Sequence, residues 1–189
     1  MNNVNQSLHP ALNMTELKKI YGQVKIYDLL LQAVYFVRIE NIFGLRVDAP
    51  WFDNESLCYL ATDASLSLGS NESESFYAGA YQCGYLTQKS NDTTNVTFLE
   101  TTEAHIGKSF LACRRLAFNK DGTVNEPKKY AFKLTVGFVH PKTNKETSLQ
   151  KSWIVGVKEC EAEASSSGRS EVVKQNVIFQ KLRPLLFET

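Results

Sequence analysis

The sequence predicts a mainly β domain, an antiparallel sandwich or partly open barrel, with one N-terminal amphipathic helix packed on it. Three observations lead there. Residues 128–157, KKYAFKLTVGFVHPKTNKETSLQKSWIVGV, alternate apolar and polar side chains almost without a break. Several other short β-rich stretches are separated by Asn, Asp, Ser and Gly. Only one window, residues 15–34, carries a long helical stripe.

In chain order, residues 1–14 read as a loose polar tail. Thr15 offers an N-cap with Glu16 in the first turn. Leu17, Ile20, Val24, Tyr27, Leu31 and Val34 then recur at helical spacing. Near Val34 the text turns β-rich, VYFVRIENIFGLRV, and Ala49-Pro50 ends it. Residues 53–75 read as loop with one short strand at 57–61. SFYAGAYQCGYLT is expected to be a strand with Tyr77, Tyr81, Cys83 and Tyr85 on one face. NVTFLE is a further strand.

SFLACRRLAF, residues 109–118, fits strand or helix, and its near-alternation favours strand. NKDG then forms a turn. In the 128–157 hairpin, Tyr130, Phe132, Leu134, Val136 and Phe138 should share one face with Leu149, Trp153, Val155 and Val157 of the return. Lysines fall on the other face and at the ends. Residues 161–170 read as a flexible linker. Residues 171–189 read as a closing strand or helix docked on the single domain of residues 15–160.

The formal net charge of +1 hides two opposite blocks. Residues 48–107 hold nine acids against Lys89, a net of −8, and residues 108–158 hold eleven bases against three acids, a net of +8. Such asymmetry bears on partners rather than on fold. Arg114, Arg115, Lys120, Lys128, Lys129, Lys133, Lys142, Lys145 and Lys151 are the candidate anion-binding patch. Seven of those nine are lysines, mobile point charges suited to phosphates or anionic lipid rather than to reading bases. A solvated, aggregation-blocking strand face is the plain alternative. Tyr77, Tyr81 and Tyr85 are candidate cavity-lining residues, with ordinary packing as their alternative.

No motif names a reaction. Gly107-Lys108-Ser109 matches the end of a phosphate-binding loop, but Thr102 stands where its first glycine belongs. Cys113 with His105 or His140 would make a nucleophile–base pair only if the fold joined them. Asp48, Asp53 and Glu55 around Trp51-Phe52 resemble carboxylates beside a sugar platform, and equally a surface loop with a tucked aromatic. No metal-ligand spacing and no cofactor motif is present. The longest apolar run, 29–37, is too short to span a membrane.

Four widely spaced cysteines suit free thiols as well as two disulfides. Six N-x-S/T sequons, at Asn5, Asn13, Asn54, Asn71, Asn91 and Asn95, pull toward secretion. The polar first fourteen residues show no secretory signal, and that favours an intracellular setting.

The expected function is a non-enzymatic structural or interaction protein, matrix-like or nucleoprotein-accessory, with a viral or effector-like profile. It would self-associate through its acidic and basic faces and bind an anionic membrane surface or a nucleic-acid backbone. A secreted ligand-binding β-barrel, and an enzyme whose site only the fold assembles, are the alternatives.

Overall fold

The computed structural model describes residues 18, 34–69, 71–89, 93–140, 143, 145–162 and 171–182. Eight strands and two α-helices are described: β1 (Tyr35–Glu40), α1 (Pro50–Asp53), β2 (Ala61–Ala64), β3 (Asn71–Ala78), β4 (Tyr81–Lys89), β5 (Thr93–Leu99), α2 (His105–Ala117), β6 (Phe132–Val139), β7 (Glu146–Ala162) and β8 (Lys174–Lys181). Six strands form one antiparallel sheet in the order β1-β6-β7-β8-β5-β2, and β3 and β4 form a separate hairpin. The antiparallel, mainly β character agrees with the sequence.

The helical part does not. The N-terminal helix expected over residues 15–34 lies outside the described residues but for Lys18 and Val34, and the helices described stand elsewhere. Residues 109–118, where alternation favoured a strand, belong to the thirteen-residue α2. Its buried side chains are Ile106, Ser109, Phe110, Cys113 and Ala117, a helical stripe that begins before the window in which alternation was read. The strand expected at 57–61 is instead a 3-10 helix, Glu55–Leu60, leading into β2. Residues 161–162, assigned to a linker, extend β7, and the closing element is the strand β8.

The sheet does not lie flat. Its outermost strands are β1 and β2, five inter-strand steps apart. At about 4.8 Å per step a flat sheet would hold them roughly 24 Å from each other. Yet the Tyr35 hydroxyl on β1 donates to the Ala61 carbonyl on β2 at 2.9 Å. The sheet therefore curls so that its two edges approach each other.

The β6–β7 register sets its inner face. Phe132 pairs with Val155, Leu134 with Trp153 and Val136 with Lys151. On the other side of β6, Ile39 pairs with Leu134 and Val37 with Val136. Alternation thus puts Phe132, Leu134, Trp153 and Val155 inward, as read from the sequence, and all four are buried. Trp51 of α1 plugs one end, its ring centroid 5.8 Å from Phe132 and 6.2 Å from Phe179. The Trp51 amide donates to Ser109 Oγ at 3.2 Å, which ties α1 to α2.

Phe132 has no exposed surface and meets the rings of Trp51, Phe52 and Phe179. Phe132→Ala is expected to lower the unfolding free energy by about 3–5 kcal/mol, as judged by urea denaturation. A loss below about 1 kcal/mol would mean that the inner face is not the core.

Candidate interaction surfaces

The hairpin β3–β4 is the largest unpacked feature of the described chain. Every residue of β3 is exposed. Gly79, at φ +65°, opens a two-residue loop between Ala78 and Tyr81, the left-handed first position that a tight hairpin turn requires. One strand carrying Tyr77, Tyr81, Cys83 and Tyr85 on a single face was the expectation; this turn folds the stretch into two strands instead.

Tyr77 pairs with Gln82, and Ala78 with Tyr81, so Tyr77 and Tyr81 point to opposite faces. Phe76, Tyr81, Cys83 and Tyr85 share one face, where the Phe76 and Tyr85 rings meet at 6.0 Å. Tyr77 and Leu86 mark the other. Their exposures, 74% for Tyr77, 79% for Tyr81 and 70% for Leu86, show apolar surface standing in solvent on both faces. The three tyrosines enclose no cavity within the described chain.

The nine basic residues fall into separate groups. Arg114 and Arg115 end α2, Lys120 lies in the turn after it, and Lys128 and Lys129 form a short 3-10 turn beside α2. All five are exposed. Lys145 lies beyond the far end of β6, where the His140 amide donates to its carbonyl at 2.9 Å, and Lys151 pairs with Val136 midway along the strand. Strand β6 separates Lys145 from the group around α2 by roughly 25–30 Å, and Lys151 by about half of that. Lys133 sits between them and bonds Glu40 at 2.7 Å, while Arg38 bonds Glu146 at 3.1 Å. Lys142 lies outside the described residues.

The first turn of α2 shows why GKS is no phosphate loop. Glu100 reaches over it: Oε1 accepts from the Ile106 amide at 3.1 Å and Oε2 from the Gly107 amide at 2.9 Å. A Cβ at position 107 would stand 3.3 Å from the Gln175 amide nitrogen and 3.4 Å from that carboxylate. The glycine thus admits an internal anion at the positive end of the helix. His105 is held by Thr101 Oγ1 at 2.7 Å and by Glu103 at 3.2 Å. Cys113 lies two turns along α2 from it, and burial pushes its thiol up to about 12, partly offset by the Trp51 indole. Trp51 is core and not a sugar platform, whereas Asp53 and Glu55 point to solvent. All four cysteines are free, and among the described residues no cluster of metal ligands forms. No described helix is long and apolar enough to cross a membrane.

A third surface is a groove of about 760 Å³ at the open end of the curled sheet. Tyr35, Val136, Phe138 and Leu149 line it from β1, β6 and β7, and Leu66 and Leu68 line it from the segment after β2. Alternation gave little sign of it, because the apolar row is broken only by Lys151 on β7 and the curl decides which part is covered. The exposed arm was also missed, although YAGAY held its signal.

Fold comparison places these surfaces in context. No family model and no curated protein matches the sequence. Among solved structures, a chain of the PVC sheath/tube terminator of an extracellular contractile injection system, in its extended state, superposes with a TM-score of 0.54. It is 9% identical, and the match covers 84% of this chain and 96% of that one. A chain of the six-fold symmetrised anti-feeding prophage baseplate gives 0.53 at 7% identity, over 83% and 94% of the two chains. A chain of the PVC sheath-tube complex, also extended, gives 0.50 at 9% identity, over 86% and 93%. At such identities the likeness is one of fold.

The raised thiols predict a pH effect. Cys113 is neutral in the folded chain up to about 12, against 9.0 as its ordinary value. The unfolded chain therefore loses this proton first, and stability is expected to fall as pH rises from about 9 toward 12. Urea denaturation under reducing conditions measures that slope, and Cys113→Ala should flatten it. An unchanged slope would mean that the thiol is not buried in solution.

Proposed function

We propose that the protein is a structural subunit that assembles with further copies of itself, or with chains of the same fold, through the β3–β4 arm. The observation that carries this reading is the arm itself. A two-stranded hairpin is marginal alone in water, and this one holds aromatic and aliphatic side chains on both faces that stay largely exposed among the described residues. Its free energy is best lowered by a partner surface. The fold supports the reading, since it recurs in chains from sheath, tube-terminator and baseplate assemblies.

The charge blocks add direction. Glu72 and Glu74 lie on the arm, and Arg114, Arg115, Lys120, Lys128 and Lys129 gather around the end of α2. An arm of one copy meeting the basic end of the next makes a heterologous contact, which closes as a ring or runs on as an array. The same basic end would serve an anionic surface; the arm favours a protein partner, because it pairs acid with aromatic surface.

Light scattering on the wild type and on Tyr81→Asp/Leu86→Asp tests this. The wild type is expected to exceed monomer mass, and the double variant to be monomeric with an unchanged melting temperature, since neither side chain touches the core. Raising salt from about 0.1 M to about 1 M shortens the Debye length from about 10 Å to about 3 Å and should slow assembly. A wild type that stays monomeric at high micromolar concentration, alone and with co-expressed assembly partners, overturns the reading.

A further inference from the structure

We propose that the β3–β4 arm seats on the exposed face of α2 and the turn after it, on a second copy of this chain, and that it lands there with its Phe76, Tyr81 and Tyr85 face. This inference rests on the assembly reading above and names both halves of the contact.

The seat is apolar at its centre. Leu111 on α2 and Phe118 at its C-terminal cap are seven residues apart, so they fall on one side of the helix about 10 Å from each other. Phe118 then forms an isolated antiparallel bridge with Val124, which sets those two side chains next to each other on one face. All three are exposed, 47% for Leu111, 53% for Phe118 and 62% for Val124. The turn that presents them is nonetheless firmly held. The Asn125 side chain donates to the Leu116 carbonyl at 2.8 Å, its amide to the Ala117 carbonyl at 2.9 Å, and the Asn119 amide to the Thr123 carbonyl at 2.9 Å. A surface fixed in this way loses little freedom when a partner arrives.

The rim of the seat is basic. Residues 108–129 hold six bases against two acids, and one of those acids, Asp121, accepts from Thr123. Lys108 and Arg115 stand one turn to either side of Leu111. None of Arg114, Arg115, Lys120, Lys128 and Lys129 pairs with an acid among the described residues.

The arm supplies the complement on one face only. Glu74 pairs with Tyr85 across the hairpin and so shares the face of Phe76, Tyr81 and Tyr85. Over residues 73–86 the opposite face, with Ser73, Ser75, Tyr77 and Leu86, carries no charge. Tyr81 and Tyr85 stand about 13 Å apart along β4, close to the spacing of Leu111 and Phe118. With the aromatic rings on the apolar centre, Arg115 can bond the Glu74 carboxylate or lie on a tyrosine ring.

Complementation between variants of the full chain tests this by light scattering. The arm variant Tyr81→Asp/Leu86→Asp keeps its seat, and the seat variant Leu111→Glu/Arg115→Glu keeps its arm. Each is expected to be monomeric alone with an unchanged melting temperature. An equimolar mixture should give a dimer of twice the monomer mass that grows no further, because its spare arm and spare seat are both disabled. Glutamate is a good helix former and both α2 positions are exposed, so the helix should persist. Should that variant unfold, Val124→Asp in the turn replaces it. Arg115→Glu alone should weaken association about tenfold or more, and adding Glu74→Arg should restore it. A seat variant that assembles like the wild type while the arm variant stays monomeric overturns this inference and leaves the assembly reading standing. The same result with lost binding to phosphatidylserine vesicles would assign the seat to a membrane surface. A mixture that stays monomeric also overturns the inference. A wild type that never assembles overturns the assembly reading and this contact with it.

Discussion

Everything in this fold depends on how the curled sheet fills its inside. A six-stranded sheet whose edges meet through Tyr35 and Ala61 encloses one apolar face, and that face must be covered. Trp51 does most of this from a helix of four residues. Pro50 starts that helix, the indole reaches Phe132 and Phe179, and the backbone amide holds Ser109 of α2. One side chain thereby fixes the seat of the long helix, and Glu100 on its amides fixes the start. Among the described residues α1 and α2 both sit at that end, and the groove lined by Tyr35, Phe138 and Leu149 marks the opposite one.

The parts of the fold that were legible are those in which one periodicity runs through a whole element. Phe132, Leu134 and Val136 alternate with Lys133 and Thr135, and the return through Trp153 and Val155 keeps the pattern, so that pair could be read directly. Helix α2 misled because Phe110, Ala112, Leu116 and Phe118 happen to fall on even numbers. Its true stripe, Ile106, Phe110, Cys113 and Ala117, emerges only when the window begins at His105. The signal for that start lay in Glu100 and Thr101, whose side chains accept from amides four to seven residues on. Such capping across a loop is hard to see in text that also spells Gly-Lys-Ser.

The candidate surfaces were legible in composition and not in place. Two charge blocks of opposite sign were plain, but lysines that are neighbours in sequence end up at opposite ends of β6. Two groups near them, Lys133 and Arg38, are occupied by Glu40 and Glu146. Strand geometry explains the separation. A hairpin brings its two strands within about 5 Å laterally but stretches each over more than 20 Å lengthwise. Charges at the turn and at the open ends of a hairpin cannot form one patch. The buried Lys181, 4.6 Å from the centre of the Trp153 ring, is a further cation that sequence pattern did not single out.

The arm is where the local rules of stability are broken, and that is informative. Strand pairs left outside a core usually carry charge or proline, which guard against unwanted association. Here Phe76, Tyr81 and Tyr85 occupy one face, and Tyr77 and Leu86 the other. Gly79 and Gly84 add flexibility without adding packing. Among the described residues the arm contributes none to the domain's core cluster. A chain that can bury Trp51 and Phe132 so completely has the means to make a solvated hairpin polar. Its aromatic arm is the departure from those rules that the proposed partner surface would explain. Two faces of the arm carry apolar groups, and a single flat partner covers only one. Insertion between two surfaces would cover both faces, which is the contact that the proposed assembly supplies.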